Sequence, residues 1–486
     1  MARWVTLPKL LVATVLASGT AGVCAQQSPA VAKFSAEDQA FVAYSQPTIV
    51  IAHAQLIDGT GAAAKRDMTV VIRDGRIAAI GPSKALRAPA GATVIDATSK
   101  TLLPGFVMVH EHMFYPSTRP GAYVQLPFSF SRLYLAGGTT TLRTAGTLSA
   151  DADLNIRRAI EAGRQPGPDM DVSGPYIGGP SESIPAIPRV TNPEEATRLV
   201  DFWAAQGATS FKVYMGITRE ELQAVIRAAH ARSLKVTGHL CSLTYREAAE
   251  IGIDNIEHDF EFPSDFVADK KPDVCPDSAQ TEQSLARLDP EGPEIGALID
   301  TLVSHHVALT STLAVFETLS AGTRKVPDDA LALLTPEFRD SYEQARAKRQ
   351  SFPIAQLYAT VFPKLVGMQR RFVRMGGLLL SGTDPTGYGG VVPGFAAQRQ
   401  LELLVKGGFT VPEAVQISTL NGARYLGREK DVGSIETGKR ADLLVVDGDC
   451  AADIDALEHL SIVFKAGIGY RRQAILDSLH GKVGLY

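Results

Sequence analysis

Cysteine is scarce in this chain, with four in 486 residues. That excludes a small disulfide-framed scaffold and leaves a fold that must rest on its own core. Positive charge is not in excess, because the formal net charge is −4. No basic field therefore invites a nucleic-acid backbone. Long apolar runs are missing beyond the N-terminus, so a membrane-embedded bundle is excluded. No short-period repeat or low-complexity tract follows either, which excludes a solenoid. What remains is ordinary for a globular protein, 45% hydrophobic and 21% charged. The length allows a large core and more than one domain. The 43 glycines suit many tight joints between strands and helices.

The first 25 residues read differently. Arg3 and Lys9 are the only charges before Gln26, and the run "LLVATVLASGTAGV" follows them. It is short and rich in small residues, and "VCA" at Val23–Ala25 offers a cleavage site. These features predict a secretory signal peptide cut near Ala25, a secreted or periplasmic protein, and no stable membrane span after cleavage. An uncut anchor is the alternative. Cys24 suggests a lipoprotein, but Val23 before it fits poorly. Cys241, Cys275 and Cys450 would remain after cleavage. Cys241 and Cys275 flank a probable loop region and are the better candidates for a disulfide; three free thiols are the other reading.

Residues 26–46 read as an N-terminal arm, partly helical at "SAEDQAFVAY". Then come β-like runs, "TIVIAHAQLID", "MTVVIRDGRIAAIG" and "TVIDATSKTLLPG", with "RDG" as a hairpin turn. Matching β pieces, "DVGSIETGKRADLLVVDGD" and "IVFKAGIGYRR", lie at the far end. Both ends should pair into one small sheet domain, its early segment at 47–104 and its late segment, with the tail, at 426–486. Between them, over 105–425, short apolar runs alternate with helical stretches, the pattern of a parallel sheet. Eight strand candidates are "GFVMVHEH", "TTTLRTAG", "MDVSGPYIG", "SFKVYMG", "LKVTGHL", "DNIEHD", "VALTSTL" and "GLLLSGTDP". Eight strand–helix units over such a length predict an α/β fold, a (β/α)8 barrel (TIM barrel), whose sites lie at the C-terminal ends of the strands.

Those strand ends carry the chemistry. The first ends in His110 and His112, which alternation puts on one face. The fourth carries Lys212, the fifth ends in His239, the sixth carries His258, and the eighth ends in Asp384. Each alone is weak: a lysine in an apolar strand is unusual, and a strand-end aspartate more often caps a helix. Together they place four imidazoles, an amine and a carboxylate on one rim, a set suited to metal. His305 and His306 precede the seventh strand and belong to the other end. His53, His230, His459 and His480 read as structural.

From about Pro47 to Tyr486 the chain resembles the amidohydrolase superfamily of metal-dependent barrel hydrolases. The resemblance rests on "LLPGFVMVHEH", "FKVY", "GHL", "IEHD", "SGTD", "LELLVKGGFTVPEAVQISTLNGARYLG" and "GSIETGKRADLLVVD". Within it the chain is similar to the imidazolonepropionase-like and prolidase-like peptidase branch. The resemblance implies a β-sandwich built from both chain ends and a homo-oligomer. It also implies two zinc ions per chain, one held by His110, His112 and Asp384 and one by His239 and His258. Lys212, carboxylated on its amine, would bridge them. True imidazolonepropionases lack that bridging lysine. Asp384 would be the catalytic group, taking a proton from a metal-activated hydroxide and passing one to the leaving amine.

Two further residues are candidates for binding substrate. Tyr214 follows Lys212 by two positions and could donate to a substrate oxygen. Arg143, at the end of the second strand, could pair with a substrate carboxylate. Rim packing and a loop salt bridge are their respective alternatives. The loops "MFYPSTRPGAYVQLPF", "DFEFPSDFVADKKPDVCPDSAQ" and "TGYGGVVPGF", the last with Tyr388, are expected to wall the pocket for a substrate with a sizeable apolar group. The expected activity is hydrolysis of small N-acyl amino acids or dipeptides. Alternatives are a cyclic amide, lactone or phosphoester on the same centre, or a non-catalytic binding protein.

Overall fold

The computed structural model describes residue 1 and residues 30–485, apart from 118–121, 321–322, 352–353 and 386–389. The expected signal peptide and Tyr388 lie outside these. The arm begins at the edge of this region: a one-turn helix, Ala36–Gln39, capped by Ser35, then a strand, Val42–Tyr44. Among the described residues no helix is long and apolar enough to cross a membrane.

The two chain ends meet in one mixed sheet of nine strands. Its order runs Val42–Tyr44, Ile468–Arg471, Leu460–Lys465, Leu443–Asp447, Lys100–Pro104, Thr48–Leu56, Lys65–Arg73 and Arg76–Pro82, with Thr93–Asp96 also paired to Thr48–Leu56. The join between early and late chain is the antiparallel ladder of Lys100–Pro104 on Leu443–Asp447. The hairpin forms where "RDG" places it. Asp74 and Gly75 both have positive φ, 49° and 77°, as a two-residue turn matched to strand twist requires. A second sheet facing this one, as a sandwich needs, is not among the described ladders. The arm also joins the sheet, which its separation from residue 47 onward does not anticipate.

All eight inner strands occur: Phe106–Glu111, Thr139–Thr144, Asp169–Asp171, Ser210–Val213, Lys235–Gly238, Asn255–Glu257, Ala308–Ser311 and Leu379–Ser381. They are numbered one to eight below. They pair in parallel as a three-stranded sheet and a five-stranded sheet, not as one continuous ladder. Contacts cross both breaks. Between strands three and four, Ser173 bridges Ser210, and Gly174 N–H donates to Ser210 O at 2.9 Å. Between eight and one, Thr383 and Asp384 N–H both donate to His110 O at 3.1 Å. That approach needs glycine at 382, where a Cβ would lie 2.3 Å from the His110 Cβ.

The strands are buried on both faces, so their sequences read as unbroken rather than alternating runs. Helices cover them. Arg219–His230 and Tyr245–Ile251 follow strands four and five, each opened by a reciprocal cap, Thr218 with Glu221 and Thr244 with Glu247. Leu222, Val225, Ala229, Tyr245 and Ala248 turn one face of these helices onto Phe211, Val213, Val236 and Ile256.

Candidate functional site

Strand ends one, four, five, six and eight bring their polar residues together. His110, His112, Lys212 and His258 are at most 2% exposed; His239 is the more open. Nε2 of His110 and of His112 lie 3.7 and 3.1 Å from the same Asp384 oxygen, so the two histidines do share a face. His258 Nε2 is 4.0 Å from the other oxygen. The His239 ring stands 4.5 Å from the His258 ring, and Lys212 Nζ is 3.3 Å from His110 Nε2. His258 and Asp384 hold positive φ, 66° and 45°, a strained state for these residues and one that clusters at functional sites.

The outer ring nitrogens are tied down. His110 Nδ1 donates to the Glu257 carboxylate at 2.7 Å, His112 Nδ1 to Gly146 O at 3.2 Å, and His258 Nδ1 lies 2.9 Å from Thr312 Oγ1. Carboxylate and carbonyl oxygens only accept, so His110 and His112 carry their proton on Nδ1. Their Nε2 lone pairs then face inward, the tautomer a metal ligand needs. Burial pushes the imidazoles toward the neutral form, His110 to about 4 and His239 to about 3. Burial also lowers the Lys212 ammonium to about 8.

Three observations test this set against a metal. An inward Nε2 lone pair of His112 faces an Asp384 carboxylate oxygen at 3.1 Å, a contact between two acceptors that a cation resolves. His239 Nε2 is buried with no partner among the described residues. Ligand atoms of His110, His258 and Asp384 lie within 4.8 Å of one another. The residues therefore fit a bound metal. This tightest trio crosses the two ligand sets expected from the resemblance.

Arg143 is a correction. It does not offer its guanidinium to a ligand. It is fully buried and donates to Ser210 Oγ, Val109 O, Glu257 Oε1 and Thr237 Oγ1 at 2.8–3.0 Å. Its alternation places it inside the strands, where its partners use four of its five N–H groups. Tyr214 lies beside the centre, its ring 4.9 Å from His239 and 5.4 Å from Tyr176. His305 and His306 are exposed at the start of strand seven, and His53, His230, His459 and His480 are exposed elsewhere.

Glu257 and Thr312 orient two histidines, and sequence reading missed both. Glu111 was missed too. It accepts from Thr383 N–H at 3.0 Å and from Thr383 Oγ1, fixing the segment that carries Asp384; burial raises its carboxyl to about 8. An acid inside an apolar strand was the available signal for Glu111 and Glu257. Aromatic rings wall the centre: Phe114 against His112 at 4.8 Å, Phe262 against His239 at 4.6 Å, Phe316 against His258 at 5.3 Å. Cys241, two residues beyond His239, is bonded to Cys275 in the loop that carries Phe262, while Cys450 is free and buried.

Residues 370–468 match the model of the amidohydrolase family. The imidazolonepropionase of Mycolicibacterium smegmatis is 38% identical over 100 residues, 20% of this chain and 24% of its own length. The chain thus aligns with about a quarter of that curated relative. Among solved structures, one described as a "putative prolidase from Bifidobacterium longum" is 26% identical, covers 89% of this chain and 98% of its own, and has a TM-score of 0.64. A Xaa-Pro dipeptidase with methionine bound in its active site is 21% identical over 87% of this chain and all of its own, with a TM-score of 0.65, a likeness of fold.

Proposed function

We propose that this chain, a member of the amidohydrolase superfamily, hydrolyses the amide C–N bond of a small N-acyl amino acid or dipeptide bearing an apolar group. The observation that carries this reading is the inward set of His110, His112, His239 and His258 around Asp384 and Lys212. The eight inner strands, with their crossings at both breaks, act as a (β/α)8 barrel that presents this set. We assign two divalent ions, zinc by ligand type, to His110, His112, His239, His258 and Asp384. Such ions supply a hydroxide at neutral pH and polarise a carbonyl.

The remaining work falls to the protein. Lys212 is buried and its amine is easily deprotonated, so it can add to CO2 and lose a proton, becoming a carbamate. That change would replace a cation by an anion that could help hold the ions. Asp384 would accept a proton from the attacking water and deliver one to the leaving nitrogen. Glu257, itself paired with Arg143, keeps His110 in its ligand tautomer; Thr312 holds the His258 ring in orientation. Tyr214 donates to a substrate oxygen from the rim. Phe114, Phe262 and Phe316 exclude water and accept the apolar group. Export to an oxidising compartment accords with the Cys241–Cys275 bond.

A second reading is a cyclic amide. Arg143 is consumed inside the strands, so it does not itself select a free carboxylate. The test pairs metal content per chain with hydrolysis of N-acyl amino acids, dipeptides and cyclic amides, in wild type and Lys212→Ala. Two ions and linear amide cleavage, both lost in the variant, are expected. One ion, with the variant unaffected, sinks the bridge. Cleavage of cyclic amides alone moves the assignment to the second reading.

A further inference from the structure

A cavity lies away from the histidines of the candidate metal centre. It has a volume of about 290 Å³ and sits between the helices Leu313–Glu317 and Phe395–Lys406, the segment 390–392 and the start of the helix Arg472–Leu479. None of the residues assigned to the metal centre lines it. Val326, Val391, Val392 and Phe395 give it apolar walls.

Its charged groups divide into two kinds. Arg399 forks onto Glu317 and reaches Glu402, and Arg324 pairs with Glu458 and Glu402. Arg346 is spent on the carbonyls of Thr323 and Arg324, and Lys325 pairs with Asp328. Arg472 differs. Among the described residues no carboxylate pairs with it, and Asp329 and Glu458 act on it only at longer range. It lies over the Phe395 ring at 5.1 Å, and its buried Nε has no acceptor among the described residues. One helical turn beyond Phe395 stands Gln398, 3% exposed, whose buried Nε2 also lacks an acceptor.

Two desolvated donors left open cost free energy unless something accepts from them. Both line the same cavity, as does the Phe395 ring over which Arg472 lies. We propose that this cavity binds a small organic carboxylate, its oxygens accepting from Gln398 Nε2 and Arg472 and its apolar body resting on Phe395, Val391 and Val392. A guanidinium favours a carboxylate over a neutral acceptor. The volume suits a single-ring or branched short-chain acid. The site does not depend on the reaction assigned to the metal centre. It is linked to that centre through the helix Leu313–Glu317, whose Phe316 packs on His258 while Ala314 and Glu317 line the cavity.

The test uses the full-length holoenzyme. Crystals soaked with 4-bromophenylacetate are expected to show bromine anomalous density between the two helices, with the carboxylate at Gln398 and Arg472. Bromine only at the histidine centre, or nowhere in the cavity, overturns the proposal. In solution, calorimetric binding of phenylacetate should weaken at least about tenfold in Arg472→Met and in Gln398→Leu. Phenylacetamide should bind at least about tenfold more weakly than phenylacetate to wild type. Unchanged affinity in both variants, or equal binding of the neutral amide, also overturns it. If Arg472→Met fails to fold, Gln398→Leu and the soaked crystal still decide.

Discussion

The two ends of the inner strands hold their charges in opposite ways. Where the strands begin, charges are saturated. Asp169 takes Arg440 at 2.6 Å and Lys465 at 2.9 Å, and Asp442 takes Arg440 at 2.6 Å. These pairs join strand three to the late strands of the nine-stranded sheet. Where the strands end, neutral imidazoles face a carboxylate, a buried amine stands among them, and His239 Nε2 has no partner among the described residues. Saturated charge holds the sheet against the strands. Unsaturated charge waits for something the polypeptide does not itself provide. If the contrast is real, substitutions at one end should change activity and leave folding alone, and substitutions at the other should do the reverse.

The largest effect is expected at Asp384. Asp384→Asn keeps the shape and removes the proton acceptor, so amide hydrolysis should fall by about 10²–10⁴-fold. The melting temperature should hold or rise, because a strained site loses a charge. A variant that melts far below wild type would mean that Asp384 is structural and the contrast false. Next comes Glu257→Gln, which weakens the hold on the His110 tautomer and leaves the Arg143 guanidinium with a neutral neighbour. Metal affinity, read by competition with a chelator, should drop by roughly 10–100-fold.

The strand ends were legible because histidine, lysine and aspartate stand out in apolar runs, and all eight strands fell where those runs lie. Glu257 was not legible as an orienting group. Its partner His110 is 147 positions away, and no local pattern encodes that distance. Arg143 was misread for the same reason: strand alternation tells which face a side chain takes, not whether partners already wait there. The hairpin at Asp74–Gly75 follows from its own residues. Whether the two chain ends form one sheet or two facing sheets depends on which faces meet, and alternating patterns are silent on that. The positive φ of His258 and Asp384 likewise comes from tertiary constraint.

The saturated end supplies a smaller, stability-based prediction. Burial would raise Asp169, but Lys465 and Arg440 outweigh it and hold it at about 2. A carboxylate depressed in the folded state stabilises above its unfolded value near 4 and loses that contribution as pH falls toward 2. Asp169→Asn should therefore cost about 2 kcal/mol at pH 7 by urea unfolding, a difference that closes between roughly pH 4 and 2. Its catalytic constants should stay close to wild type. A variant as stable as wild type at pH 7 would mean these pairs are cosmetic.

The smallest effect is expected at the boundary between the two behaviours, the rim tyrosine. Tyr214 packs edge-on to Tyr176 and tilts over His239, so its ring belongs to the wall while its hydroxyl belongs to the substrate in our reading. Tyr214→Phe keeps the ring and removes one neutral donor, worth less than about tenfold. If that bond forms in ground state and transition state alike, KM rises and kcat stays. If it forms only as charge builds on the carbonyl oxygen, kcat falls and KM stays. No change in either would return Tyr214 to the aromatic wall, with the stabilisation of that oxygen left to the histidine-lined centre.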